Sequence, residues 1–261
     1  MIFRILLFLE RLLFGSERLF KFMILNEIEE NSLFIEIGSS DLSETKLVLK
    51  NKKKVNVLVF EPDSRNINNY DQKILKDKRL RVIKKIISSK TGKQNFYLHK
   101  KFSNLNQLSR PKKDKLKNFY EKKIITANLE KEVKKYKNYS KLIIKMDIEG
   151  YEVEVIKKNM NFLRKKKNIS LLVELHPMNY KKNSMRNLMN KLIANGYKFK
   201  IIESAKYIRP LIFIKKSYFP FKRSLQRGLY KNINAEFVLN NAFTYKKQIK
   251  NIRSILLSKS L

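Results

Sequence analysis

Carboxylates cluster in a chain that is poor in them. Of 261 residues only 23 are Asp or Glu, against 59 Lys and Arg, a formal charge of +36. Yet "LIIKMDIEGYEVEVIKK" (142–158) sets Asp147, Glu149, Glu152 and Glu154 around one glycine. Three further acids stand at the ends of apolar, β-branched runs: Glu36 in "LFIEIG", Glu61 in "VNVLVFEP" and Glu174 in "ISLLVELHP", the last followed by His176. In open α/β sheets ligands bind outside the carboxyl ends of the strands. Carboxylates there can accept from ribose hydroxyls, face a cation or take up a proton.

Each position has a structural reading beside its chemical one. Glu36 can cap a helix. Glu61 can pair with a lysine, but about twenty residues past a first strand turn is where a ribose acid stands in doubly wound folds. Gly38 lets the backbone approach a ligand closely, and the helix after it offers free N–H groups to an anion. The turn lacks G-x-G-x-x-G, because Ser40 and Ser43 stand where the further glycines would be, so a dinucleotide pyrophosphate is disfavoured. No G-K-[ST] of a phosphate-binding loop occurs. Glu152 and Glu154 fall at a helix start, where acids complement the dipole. Asp147 and Glu149 face the strand-end rim. His176 reads as a general base or as a structural histidine before Pro177, with Asp147 or Glu149 as the other candidates for the base. No metal site is read from the sequence.

The elements that must position these residues alternate. Strand-like runs lie at 33–38, 55–62, 80–88, 141–147 and 169–177, with an extra one at 93–99 after the Thr91-Gly92 turn. Helical stretches lie between them at 42–52, 64–76, 150–164 and 184–195, the last ended by Gly196. Closing strands are expected at 197–204 and 235–240. This order predicts an α/β domain with a mainly parallel sheet. Residues 100–140 and 205–234 fit less well and are expected to be loop insertions, the first a mobile cover over the site.

Composition sets the outer limits. The chain contains no cysteine, which excludes disulfides and thiolate chemistry and fits a reducing compartment. The lysines recur along nearly the whole sequence rather than in one arm, so a general solvated basic surface is expected before a polyanion site. The N-terminal 31 residues have a wide apolar face broken by Arg4, Arg11 and Arg18 at heptad spacing. They are expected to form helices packed on the domain or on a second copy of the chain, with a helix in a membrane interface as the second reading. No run suits a transmembrane helix or a signal peptide. The expected location is the cytoplasm, with peripheral contact at the inner membrane face as the alternative.

"FIEIGSSDLSET", "VFEPDSRN", "IISSKTGKQNFYL", "IIKMDIEGYEVEVIK" and "LLVELHP" resemble, in order and spacing, the FkbM family of S-adenosylmethionine-dependent methyltransferases. The resemblance covers about 33 to 203. It implies a class I methyltransferase, Rossmann-like sheet of seven strands with helices on both faces and the seventh strand antiparallel, for which "AEFVLN" is the match. It implies S-adenosylmethionine as cofactor. Glu36 then looks like the acid near the methionine amino group, and Gly38, Ser39 and Ser40 like the turn beneath it. Glu61 looks like the ribose acid, Asp63 a neighbour of the adenosine, and Ile87 and Ser88 residues at the adenine edge. Asp147 and Glu149 look like the acids facing the sulfonium and the acceptor. The family typically has Gly where Leu42 stands and Asn where Ser40 stands; Leu42 is expected to make the first loop bulkier, which leaves its effect on cofactor affinity open.

The expected domains are an N-terminal helical extension (1–31), the methyltransferase domain (32–240) and a C-terminal basic helix (241–261). The expected reaction is O-methylation of a sugar or other small acceptor. Nucleic acid is the alternative acceptor, supported by charge but by no N-P-P-Y or D-P-P-Y tetrapeptide. A non-catalytic basic protein on the same fold is the third reading.

Overall fold

The computed structural model describes residues 21, 24–88, 92–108, 110–181, 183–204, 228–231, 234–241 and 252–260. Eleven strands are described: β1 (Ser32–Ile37), β2 (Val55–Phe60), β3 (Leu80–Ile83), β4 (Ile86–Ile87), β5 (Lys93–His99), β6 (Phe119–Ala127), β7 (Leu142–Met146), β8 (Ile169–Glu174), β9 (Lys198–Ser204), β10 (Gly228–Lys231) and β11 (Ile252–Lys259). The described helices are α1 (Ser43–Asn51), α2 (Ser64–Asn68), α3 (Gln72–Leu75), α4 (Lys113–Leu116), α5 (Leu129–Val133), α6 (Glu152–Lys158), α7 (Met160–Lys165), α8 (Ser184–Ala194) and α9 (Ala235–Asn241).

Eight strands form one sheet in the order β10-β9-β11-β8-β7-β1-β2-β3. β1 pairs in parallel with both β2 and β7, β7 with β8, and β2 with β3. β11 lies antiparallel between β8 and β9. This is the class I methyltransferase arrangement, with β10 added at the edge. The central strands are buried on both faces, which is why they read as continuous apolar runs. Leu33, Ile35, Leu58, Leu142, Ile144 and Leu171 face one core with α6 and α8. Phe34, Val57, Val59, Ile143 and Leu172 face the other, with α1 and the helical residues 24–27.

The register sets the chemistry. Ile37 pairs with Phe60 and with Met146, and Met146 with Val173. The next residues in each chain, Gly38, Glu61, Asp147 and Glu174, therefore form one row along the carboxyl rim. β1 and β7 adjoin although more than a hundred residues separate them, so the strand order reverses between them. That is the crevice where open α/β sheets take ligands.

Several elements differ from expectation. "AEFVLN" is helical, not a strand: Asn234 accepts from Glu236 N through Oδ1, and Val238 N reaches Asn234 O, as in a helix start. The antiparallel strand is β11 instead, within the segment expected to be a basic helix. Its run Ile255-Leu256-Leu257 is fully buried between two neighbours, a role that a helix there could not fill. The run 80–88 splits into β3 and β4. Residues 100–140 are no plain loop: β6 pairs antiparallel with β5 over 119–125 and parallel with β4 at Thr126 and Ala127, in a second, three-stranded sheet. The helix expected over 64–76 is two short helices, each capped by an aspartate, Asp63 and Asp71. At 150–164 the break falls at Asn159.

The N-terminal helices over 1–20 lie outside the described residues, as do 205–227 and 242–251. Where that region enters description, Ile24, Leu25 and Ile28 are buried against Phe34 and Val48, and Lys21 pairs with Glu44 at 3.2 Å. Among the described residues no helix is long and apolar enough to cross a membrane.

Candidate active site

A cavity of about 350 Å³ follows the row of strand ends, within the ~300–1,000 Å³ usual for small-molecule sites. Gly38, Ser39, Ser40, Glu61, Asp147 and Glu149 line it, with Ile87 from the small sheet. Glu36, Asp63, Ser88 and His176 do not line it.

The glycine is required by space and by conformation. Gly38 has φ +80, and a Cβ there would lie 2.2 Å from the Asp147 carbonyl oxygen. The first turn is thus pressed against the β7 turn, and a cradle opens above bare backbone. Ser39 fixes the loop: its N–H donates to Glu61 Oε2 at 3.1 Å and its Oγ accepts from Leu42 N at 3.1 Å.

Leu42 also has a left-handed φ, +59. That explains why a glycine suits this position. Its side chain is fully buried among Ile24, Phe34 and Val48 and is absent from the cavity lining. The expected bulkier loop is therefore not found, because the leucine points into the core. Burial of about 1.5–3 kcal/mol offsets the ~1–2 kcal/mol backbone cost.

Beneath the turn lies a buried charge network. Glu36 is fully buried, accepts from Thr45 Oγ1 at 2.6 Å and lies 3.5 Å from Lys145 Nζ. Burial alone would discharge Lys145, but Glu36, Glu44 and Asp147 outweigh it and hold the ammonium above its ordinary value. Burial likewise opposes ionisation of Glu44, but Lys145 and Lys21 bring it down to about 2.

Glu61 points inward. Its two oxygens accept from Ser39 N at 3.1 Å and Asp63 N at 2.7 Å, and burial pushes its carboxyl up to about 7. Asp63 caps α2 through Arg65 N, and it binds the Arg65 guanidinium and Asn106 Nδ2. Burial opposes its ionisation, yet these bonds hold it below the usual carboxylate range. Ser88 N donates to Ala127 O.

Across the crevice the acids are more open. Asp147 Oδ2 faces Lys145 at 3.6 Å, while Oδ1 lies 3.7 Å from His176 Nε2. Glu149 Oε1 is also 3.7 Å from Nε2. Glu149 has φ +54 and is followed by Gly150, φ +99, whose absent Cβ leaves room for Asn179. Asn179 Nδ2 in turn holds the Glu149 carbonyl at 3.0 Å, locking this turn to the one after β8. Burial raises the Glu149 carboxyl despite the pull of His176. Glu152 is fully buried rather than a surface acid at a helix start. It accepts from Ile148 N at 2.9 Å and Tyr180 OH at 3.2 Å, and contacts His176 Nδ1 at 3.0 Å. Burial opposes charge on His176, but Glu152, Glu149 and Asp147 raise it to about 9.

Among the lining residues that received no role from the sequence are Glu174 and Arg253. Glu174 lies on the cavity wall with Arg253, whose Nη2 is 3.6 Å from Glu174 Oε1. Burial, then the Asp147 charge, pushes Glu174 up to about 7. Its place at the end of β8 was the available signal. Arg253 could not be placed without knowing that β11 pairs with β8. A second cavity, of about 440 Å³, shares Leu108, Glu149 and Tyr151 with the first.

The model of the methyltransferase FkbM domain matches residues 34–199. The chain belongs to the FkbM methyltransferase family. It is therefore an S-adenosylmethionine-dependent methyltransferase. No curated protein matches its sequence. Among solved structures, the precorrin-6y C5,15-methyltransferase of Geobacter metallireducens is similar at 9% identity and TM-score 0.42, covering 92% of this chain and 86% of that one. An rRNA methylase of Streptococcus thermophilus has 9% identity and TM-score 0.39, covering 92% and 93%. The plantazolicin methyltransferase, solved with a desmethyl plantazolicin analogue and SAH, has 10% identity and TM-score 0.39, covering 94% and 83%. The family match, not these likenesses, carries the assignment. The cradle over Gly38 and the acids of the rim suit a nucleoside with a cationic sulfur.

Proposed function

We propose that this FkbM-family enzyme methylates a hydroxyl oxygen of a sugar or another small acceptor. The observation that carries this reading is the wall of the first cavity, where two carboxylates with raised proton affinity stand, Glu174 and Glu149, the latter shared with the second cavity. A hydroxyl must lose its proton as it attacks, and a base titrating near 7 is suited to taking it.

When bound, S-adenosylmethionine supplies the methyl group, an O–C bond forming as the S–C bond breaks to leave a neutral thioether. The chain's own residues do the rest. The Gly38–Ser40 turn carries the amino-acid end, with Glu36 acting from below through Thr45 and Lys145. Glu61 accepts from the ribose hydroxyls with the lone pairs that Ser39 N and Asp63 N leave free, and it holds the turn in shape. Ile87 packs at the base, while Asp63 and Ser88 support the wall from behind. Asp147 faces the sulfonium. Glu174 takes the acceptor's proton. Positioning supplies much of the rate in such an in-line displacement.

Tritiated methyl from S-adenosylmethionine, offered a panel of free sugars, nucleotide sugars and a defined RNA, tests this. Alkali-stable label in a sugar fraction is expected, because an ether survives where an ester does not. Label in RNA, or on an amine, would overturn the proposal.

A further inference from the structure

The side chains of Asp147, Glu149 and His176 converge without touching. Each offers one donor atom, and the three atoms lie within 4.8 Å of one another. Both carboxylate oxygens stop at 3.7 Å from His176 Nε2, beyond hydrogen-bond reach. We propose that these three residues form a binding site for a divalent first-row cation, at the wall where the two cavities meet.

Three features of the residues and their surroundings support it. The first is the orientation of the imidazole. Glu152 is fully buried and accepts at His176 Nδ1, 3.0 Å away. That leaves Nε2 as the nitrogen directed at the two carboxylates, where a cation would replace the Nε2 proton and release it to solvent. A carboxylate behind a ligating imidazole is the usual support of a metal-bound histidine, fixing its tautomer and raising its basicity. Glu152 is itself held by Ile148 N and Tyr180 OH, so the support is rigid.

The second is the backbone. Asp147 and Glu149 reach the same point because the chain turns through a left-handed Glu149 and then Gly150. Asn179 fixes that turn to the loop that carries His176. Donors from two strand ends are thus held in one frame before any ion arrives.

The third is how the carboxylates divide their duties. Asp147 uses Oδ2 toward Lys145 and keeps Oδ1 for the triad. Lys145 is matched by Glu36 and Glu44, so its charge is already compensated. One imidazole and two carboxylate oxygens suit a borderline-hard cation such as Mn²⁺, and contraction of the span brings all three to about 2.0–2.2 Å. Asp147 and Glu149 line the first cavity and Glu149 also lines the second, so an ion held there would be open to a molecule in the site. A hydroxyl or water bound there would be acidified and fixed in place.

The experiment uses the full chain, freed of metal by a chelator and without cofactor, so that it reads binding rather than turnover. Free Mn²⁺ is followed by electron paramagnetic resonance during a titration. One saturable site per chain is expected, weakened at least tenfold in Asp147→Asn and in His176→Gln. Glu152→Gln, which alters only the support, should weaken it about tenfold. Should these variants misfold, the unaltered protein still decides. Bound Mn²⁺ should show nitrogen coupling in pulsed resonance, and the chain has only two histidines. His99 accepts from Lys101 N and Phe102 N in the small-sheet region, and His99→Gln should leave the coupling intact. No saturable binding below about 1 mM, the weak end of protein cation sites, would overturn the proposal. So would binding without nitrogen coupling, or coupling lost in His99→Gln.

Discussion

The two sides of the crevice between β1 and β7 use the same residue type differently. On the β1–β2 side, Glu36 and Glu61 are buried, and their oxygens accept hydrogen bonds from Thr45 and from backbone N–H groups. On the β7–β8 side, Asp147, Glu149 and Glu174 are about a third exposed and stop short of the cations nearest them. Buried acids that are bonded inward build a shape. Acids left partly solvated, with charge crowding around them, are poised to exchange a proton or meet a cation. One rim therefore carries a holding half and a reacting half, and substitutions on each should fail in different ways.

The largest effect belongs to the holding half. Gly38→Ala places a Cβ 2.2 Å from the Asp147 carbonyl and keeps a left-handed φ. Strain and overpacking together should cost about 3 kcal/mol or more. Thermal unfolding and cofactor calorimetry should both report the loss, with binding reduced at least a hundredfold. A stable variant with intact affinity would show that the two turns are not pressed together.

On the reacting half, Glu174→Gln should fold normally but lose about 10²–10³ in kcat, the usual contribution of a positioned base. The pH profile sharpens the comparison. Glu174 must be ionised to accept a proton, and burial and Asp147 place its titration at about 7. The parent rate should therefore rise as pH increases through 7, and this limb should vanish in the variant. Stability runs in the opposite direction. A carboxyl whose folded value lies above its unfolded 4.5 favours the folded state most below 4.5, and that contribution disappears as pH rises through 7. If the rate falls as pH rises through 7, Glu174 is not the base.

Glu61→Ala tests whether holding and binding separate. It orphans the N–H groups of Ser39 and Asp63 and should destabilise by about 1–3 kcal/mol. Cofactor affinity should fall about tenfold, because the ribose acceptor goes with it. A variant that loses affinity without losing stability would move Glu61 to the reacting half.

The sequence made the sheet and its rim legible because buried parallel strands leave apolar runs and the acids stand at their ends. Glu36, Glu61, Asp147 and Glu174 could be placed along one edge from spacing alone. What each acid does there was not readable. Glu152 and Glu154 look alike as acids at a helix start, yet burial and three partners separate Glu152 from its neighbour. β11 was missed because its short apolar run lies beside a basic, patternless stretch, and its strand character comes from the gap between β8 and β9 that it fills. β6 was missed for a related reason, since its pairing partner β5 lies across an intervening loop. Leu42 shows the converse case. The departure from glycine was visible, but whether the leucine would enter the cavity or the core depended on the backbone angle.

The smallest effect separates those two helix-start acids. Glu154 lies in the first turn of α6 and, unlike Glu152, is only partly buried. Its contribution is the attraction between a carboxylate and the helix N-terminus, about 0.3–1 kcal/mol. Glu154→Gln keeps the size of the side chain and removes the charge. Stability in a denaturant titration should fall by about that amount, and less so at high salt, because a partly solvated charge is screened. Its kcat should stay at the parent value, although Glu154 lines the second cavity. A tenfold loss of kcat at unchanged stability would place Glu154 with Asp147, Glu149 and Glu174, and would extend the reacting half of the rim into α6.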